Sequence, residues 1–209
     1  MHRIFIFYTI LIIVMLCGGL YYSFLNLDKA DWIMLKSEGK ALEISTAVIF
    51  ALSAFVGFIG FLKTNKKMHF LFFTLMALAS AREMDLHKEW TTDSILKLRF
   101  YSSDTTPEFE KLIGGVVILF LLYASFQCFK RIPLWISNLW MLQDKAWAIA
   151  FGMGALVIAK SLDSMKRLVP KLTEFHTEHH AFLGLIEESL EMAGAMMFLY
   201  VAFLILQRR

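Results

Sequence analysis

The sequence predicts an all-α polytopic membrane protein, a single domain over residues 1–209 that forms a bundle of six transmembrane helices with short loops. Of the 209 residues, 58% are hydrophobic and only 19% are charged, and the mean hydropathy is +0.59. Soluble domains are roughly half apolar and about a quarter charged, so this composition favours a membrane protein. About six spans of ~20 residues use almost the whole chain, which excludes a separate soluble domain.

Each predicted span is an apolar run that ends in charged or polar residues. The first run continues to about Leu25 without the small residues of a signal-peptide cleavage site, so we expect it to be a retained span. The stretch 134–144, which contains Trp135 and Trp140, indicates an interfacial helix or turn rather than a span. The six predicted spans are about 4–25, 41–62, 68–84, 112–129, 145–162 and 180–206.

Basic residues beside the spans predict the orientation. If the direction of the six spans alternates, one side of the membrane carries Lys and Arg residues with few acidic residues beside them. On the opposite side the Lys and Arg residues are mixed with Asp, Glu and His. The positive-inside rule then places both termini in the cytoplasm, and we expect a bacterial-type inner membrane. The residues that carry this prediction are Arg3, Lys63, Lys66, Lys67, Lys130, Arg131, Arg208 and Arg209.

Several function classes are excluded or disfavoured. The chain has no CxxC motif, and its two cysteines, Cys17 and Cys128, are predicted in opposite leaflets, so thiol exchange is excluded. Neither a glycine-rich phosphate loop nor a nucleic-acid signature is present. No residue pattern supports an inverted repeat, which argues against alternating access. The expected partners are therefore membrane lipids, and the sequence identifies no protein partner.

Ionisable residues gather at the outer ends of the predicted spans. Glu83, Asp85 and His87 end the third span, and Glu187 opens the sixth. Glu191 lies about 6 Å deeper than Glu187 at 1.5 Å per residue. Charges at this depth are costly unless they are paired or functional, so we expect one outward-facing pocket. The other residues predicted to line it are Glu43, Arg82, Lys160, Asp163, His176, His180 and Glu188.

Small residues share helix faces with these acids. They allow helices to approach closely in lipid, so we expect the acidic groups to face the bundle interior. The predicted stripes are Glu43, Ala47, Ala54 and Gly57 on span two; Gly152, Ala155, Ala159 and Asp163 on span five; and Gly184, Glu187, Glu188, Glu191 and Ala195 on span six.

A metal-assisted hydrolase or transferase acting on a lipid or envelope substrate is the leading hypothesis. Three residue pairs have the i,i+4 spacing that presents two ligands on one helix face: His176 with His180, Glu83 with His87, and Glu187 with Glu191. The predicted ligands of a divalent metal ion (zinc, iron or manganese) are His87, His176, His180 and Glu187. The predicted catalytic acids and bases are Glu83, Asp85 and Glu191.

Two alternatives stay open, so the sequence does not decide between an enzyme and a non-enzymatic protein. In the first, Arg82 and Lys160 neutralise the acids, and the protein is a membrane scaffold whose charges hold the helices together. Acids outnumber these bases, however, and the surplus needs protons, a metal or water. In the second, Glu43, Asp163 and Glu191 are exchangeable sites of a proton- or cation-linked carrier.

Ser80, Asp85 and His87, together with His176-x-x-x-His180, resemble the arrangement in the alkaline ceramidase and adiponectin-receptor group of intramembrane zinc hydrolases. The resemblance covers these two short stretches only. Members of that group are seven-span bundles with the histidine pair inside the last helix, whereas here six spans are predicted and the pair precedes the last. No residue roles are therefore carried over from that group.

Overall fold

A computed structural model describes residues 29–84, 95, 98–168 and 180–207 of the chain. These residues form seven α-helices, and no strand occurs among them, which confirms the all-α class. The helices are α1 (Lys29–Thr64), α2 (Lys67–Glu83), α3 (Leu98–Ser102), α4 (Glu108–Phe129), α5 (Ile132–Trp140), α6 (Asp144–Leu168) and α7 (His180–Gln207).

Four of these helices are long and apolar enough to cross a membrane. The candidate spans are Leu42–Thr64 in α1, Glu108–Phe129, which is α4, Asp144–Leu162 in α6 and Leu183–Gln207 in α7. The predicted first span lies outside the described residues. The predicted third span forms α2, but its 17 residues extend only about 26 Å, less than the ~30 Å hydrocarbon core. The apolar helices thus support a multi-pass membrane protein, and the six-span count is not confirmed.

Helix α1 begins twelve residues earlier than the second predicted span, at Lys29 instead of Ala41. The apolar pattern predicts a connection here, but the segment contains no proline, and seven of its twelve residues are Lys, Ala, Met, Leu or Glu, which favour helix. The helix ends at Thr64, where Asn65 adopts a φ of 50°. The backbone N–H of Asn65 donates to the Phe61 carbonyl at 2.7 Å. Asparagine tolerates this left-handed conformation, which ends helices.

Helix α7 packs against both α1 and α6, and α1 packs against α2. Phe50 of α1, Met76 of α2 and Phe198 of α7 belong to one buried apolar cluster. A second cluster joins Ala148 of α6 to α7 residues that include Val201. These four helices form the described core of the bundle.

Close approach at small residues brings these helices together. Ala54, Ala159 and Ala195 are 5%, 0% and 0% exposed, so the predicted interior faces are correct at these positions. A Cβ atom added at Gly194 of α7 would lie 3.1 Å from the carbonyl oxygen of Gly152 in α6. Only small residues permit such a separation between two helices.

Helix α4 differs from the core helices because most of its apolar side chains are exposed. Among its residues only Gly114 and Ala124 are buried, and a Cβ atom added at Gly114 would lie 2.7 Å from the Tyr101 hydroxyl oxygen and 3.0 Å from Cε1 of Phe100. Leu119 is 68% exposed. An apolar helix with this exposure is suited to contact with lipid.

The end of the bundle that carries the α1–α2 turn, α5 and the start of α6 is called the basic end. The predicted interfacial stretch forms α5, which has Pro133 in its first turn, as is usual for helices. Two indole groups join α5 to α6: Trp135 Nε1 donates to the Ala146 carbonyl, and Trp147 Nε1 donates to the Leu139 carbonyl, both at 3.2 Å.

Candidate functional site at the acid end

The opposite end of the bundle, where α2 ends and α7 begins, is called the acid end because Glu43, Glu83, Glu187, Glu188 and Glu191 lie there. Three core helices supply these five carboxylates. Glu43 lies near the start of the α1 span, Glu83 ends α2, and the other three lie between the second and the fourth turn of α7. The acid end is therefore the part of the described protein in which carboxylates from different helices meet.

Arg82 joins two of these carboxylates. Its Nη2 atom lies 3.5 Å from Glu191 Oε1, and its Nη1 atom lies 3.9 Å from Glu83 Oε1. The side chains of Glu83 and Glu191 are 8% and 11% exposed, whereas that of Arg82 is 55% exposed. One half-exposed guanidinium therefore serves two nearly buried carboxylates from α2 and α7.

Ser80 holds α2 against α1 directly below these charges. A serine in a span commonly bonds to its own helix backbone. Here the buried Ser80 hydroxyl instead donates to the carbonyl oxygen of Ala47 in α1, at 2.8 Å. Met76, Ser80 and Glu83 all turn toward the interior, as their shared helix face predicts. This bond fixes the depth at which α2 meets α1.

The Arg82, Glu83 and Glu191 group lies deeper in the bundle than the first residue of the α7 span. Glu191 is eight residues past Leu183, where the candidate span of α7 begins, and this separation corresponds to about 12 Å along the helix. Because Arg82 contacts Glu191, the last turn of α2 reaches only to this depth. The short length of α2 thus leaves the Arg82, Glu83 and Glu191 group recessed with respect to α7.

The remaining charged residues surround this group at varying exposure. Glu83 interacts electrostatically with Glu43 of α1 and Lys160 of α6, both of which are exposed. Glu187 and Glu188 of α7 are half-buried. Glu43 was predicted to face the bundle interior, but its side chain is exposed.

Several predicted site residues are not tested by the structure. Asp85, His87 and His176 lie outside the described residues, and so do the side chains of Asp163 and His180, although the backbones of those two belong to α6 and α7. Within the described part of the chain, no three His, Cys, Asp or Glu side chains are grouped so as to hold a metal ion. Metal binding therefore stays a prediction.

His69 has two polar contacts at the basic end. His69 Nδ1 lies 2.7 Å from Thr64 Oγ1 and 3.3 Å from the carbonyl oxygen of Gly60. The Thr64 hydroxyl also lies 2.8 Å from the Gly60 carbonyl, to which it donates. The tight turn between α1 and α2 explains the contact, since it brings residues five positions apart side by side. This group joins two helices and is far from the carboxylates.

No family model, curated protein or solved structure matches this chain.

Proposed function

We propose that the acid end is the substrate site of a membrane hydrolase or transferase that acts on a lipid or envelope substrate. The observation that carries the proposal is the sharing of Arg82 by Glu83 and Glu191. A buried carboxylate is stable when a positive charge, a proton or a metal compensates it. Arg82 and Lys160 supply two positive charges near Glu83, where Glu43 and Glu191 bring the number of carboxylates to three. A pair of carboxylates that holds one proton between them supplies an acid and a base, which hydrolysis and group transfer require.

The position of the site supports a substrate at the membrane surface. Arg82 is half exposed, so part of its guanidinium is accessible beside the buried carboxylates. Guanidinium groups bind phosphate and carboxylate through paired hydrogen bonds, so Arg82 is suited to orient an anionic head group. One carboxyl group of the Glu83 and Glu191 pair would then take the proton of the attacking nucleophile, and the other would give a proton to the leaving group.

A divalent metal ion is part of the same proposal. His87, His176, His180 and Glu187 would hold it, and it would polarise the substrate and activate a water molecule. Glu187 is the predicted ligand whose side chain the structure describes; it is half-buried and lies one turn before Glu191 on α7. A carboxylate donor is thus present beside the proposed acid–base pair.

Metal analysis and lipid analysis together test this function. We expect the purified protein to contain about one transition-metal ion per chain, and we expect His180→Ala and Glu187→Ala to lose it while keeping their helical circular dichroism. Cells that produce the wild-type protein should differ in their lipid or envelope composition, by mass spectrometry, from cells that produce Glu191→Gln. A metal-free wild-type protein together with identical compositions in the two strains would overturn the proposal.

A membrane scaffold is the second candidate, and a specific contact favours it. The Arg82–Glu191 pair joins α2 to α7, and the Ser80 hydrogen bond joins α2 to α1, so both polar contacts connect helices. In a scaffold these contacts serve stability alone. The lipid and envelope composition of cells would then be the same for every variant at the acid end.

A double-mutant cycle separates the two candidates. Arg82→Gln leaves Glu191 buried without its guanidinium, and we expect a loss of about 1–2 kcal/mol, because half of Arg82 is solvated. In a scaffold, Arg82→Gln/Glu191→Gln should recover most of that stability with no other consequence. In an enzyme, the double variant should recover stability, but the lipid composition of its cells should still differ from that of wild-type cells. Lys111→Gln, which removes the pair with the exposed Glu108 at 2.9 Å, is the matched control.

A further inference from the structure

Exposed positive charge is concentrated at the basic end. Lys63, Lys66 and Lys67 lie in and beside the α1–α2 turn, Lys130 and Arg131 lie between α4 and α5, and all five side chains are exposed. Asp144 is the one acidic residue in segments 57–72, 126–147 and 203–207, which make up this end in the described chain. A surface with this charge attracts anions.

Contacts with α6 connect the two basic turns, which are the α1–α2 turn and the turn between α4 and α5. Lys145, at the start of α6, lies close enough to His69 to interact with it electrostatically, and so does Lys66. His69 in turn contacts Thr64 of α1. Since Trp135 bonds to the Ala146 carbonyl, the start of α5 is joined to the same part of α6. The α1–α2 turn and the basic start of α5 are thus connected through α6.

Helix α5 presents apolar surface beside these charges. Its sequence, IPLWISNLW, contains no charged residue, and Leu134 and Trp140 are 58% and 84% exposed. The turn after it adds Met141 and Leu142, each 60% exposed. Tryptophan next to aliphatic side chains is typical of the boundary between head groups and acyl chains. The reciprocal indole bonds of Trp135 and Trp147 hold this apolar surface in place against α6.

We propose that the basic end is a binding surface for anionic phospholipids. The five exposed lysine and arginine side chains contact the head-group phosphates, and α5 lies in the interface with Leu134 and Trp140 against the acyl chains. Charge complementarity selects the anionic lipid, since zwitterionic head groups offer no net charge to the same residues. Each basic residue near such a surface strengthens binding by roughly fivefold, so the preference depends on their number. This surface is separate from the acid end and does not depend on the function proposed there.

Native mass spectrometry of the full chain tests the preference. The protein, released from micelles that contain equal amounts of phosphatidylglycerol and phosphatidylcholine, should retain phosphatidylglycerol at least tenfold more often. Lys66→Gln/Lys67→Gln and Lys130→Gln/Arg131→Gln should each lower that ratio by about tenfold or more, since each removes two charges. The charge-preserving Lys130→Arg/Arg131→Lys should leave it unchanged. Lys111→Gln, which removes a charge beyond the basic end, should alter it less than twofold.

Two further results decide the identity and the placement of the ligand. Inorganic phosphate at millimolar concentration should not displace the lipid, and displacement would mean that the surface serves a soluble anion instead. In vesicles with brominated acyl chains, quenching of tryptophan fluorescence should be weaker for Trp140→Phe than for the wild type. An equal retention of both lipids, or unchanged quenching in Trp140→Phe, would overturn the proposal.

Discussion

The two ends of the bundle carry charge in opposite ways. At the basic end Lys63, Lys66 and Lys67 are exposed, and the helices are joined by neutral contacts such as the one between Thr64 and His69. At the acid end Glu83 and Glu191 are nearly buried. Exposed charge needs no compensation from the protein, whereas buried charge does. The charge of the basic end is therefore solvated, whereas that of Glu83 and Glu191 has to be compensated by neighbouring groups.

The same contrast extends to what holds the helices together. At the basic end a Cβ atom added to Gly60 would lie 2.6 Å from Cγ2 of Ile205, so α1 and α7 are in close apolar contact there. At the acid end the cross-helix contacts are polar, namely Arg82 with Glu191 and Ser80 with Ala47. Substitutions at the basic end should therefore destabilise the protein by overpacking, and those at the acid end by loss of polar contacts.

The largest effect is expected for Gly60→Val. The new side chain overlaps the β-branched Ile205, which cannot rotate away without moving α7, and we expect a loss of about 2–3 kcal/mol. Gly154→Val is the control, since nothing lies within 4 Å of a Cβ atom at Gly154. Thermal unfolding in detergent measures both. Equal melting temperatures for the two variants would show that close packing does not hold the basic end.

An intermediate effect is expected for Ser80→Ala at the acid end. The substitution removes the hydrogen bond across the α1–α2 interface and leaves the Ala47 carbonyl without this donor, which should cost about 1 kcal/mol. Ser53→Ala is the matched control because Ser53, also buried, donates to Ile49 of its own helix at 2.8 Å. The same unfolding measurement should show a smaller change for Ser53→Ala, and the reverse order would contradict a polar contact between the helices.

The smallest effect on stability is expected for Lys63→Gln/Lys67→Gln at the basic end. Both side chains are exposed, and neither is expected to change the melting temperature measurably, although the affinity for anionic vesicles should fall. A large drop in melting temperature would mean that these lysines stabilise the fold, and the contrast between the two ends would then fail.

Residue pattern was sufficient for the fold class and for the positions of the small residues on the helix faces, but not for Glu43, which is exposed. The apolar runs predict α4, α6 and α7, and the small residues at Ala54, Ala159 and Ala195 mark buried positions, because helix period and apolar length are local properties of the chain. Length alone was less informative for α2. Its apolar run predicts a full span, but α2 ends at the depth of Glu191.

Of the candidate site, the sequence indicated that acids and one arginine lie at the same end of the helices. It did not indicate which of them are paired. Arg82 had Glu43, Glu187 and Glu191 as equivalent partners in sequence, and in the folded protein its guanidinium lies beside Glu191. For Ser80 the expected acceptor was likewise a carbonyl of its own helix. In the structure its hydroxyl donates to the Ala47 carbonyl of α1 at 2.8 Å.

The amino-acid sequence by itself determined that this is an all-helical, apolar chain with basic residues at one end of its helices and acidic residues at the other. Only the tertiary structure decided that Glu83 and Glu191 are buried around one guanidinium while the lysines of the basic end are exposed. The physical reason is that helix formation depends on neighbours within four residues, whereas burial and pairing depend on groups more than a hundred residues apart, as Arg82 and Glu191 are.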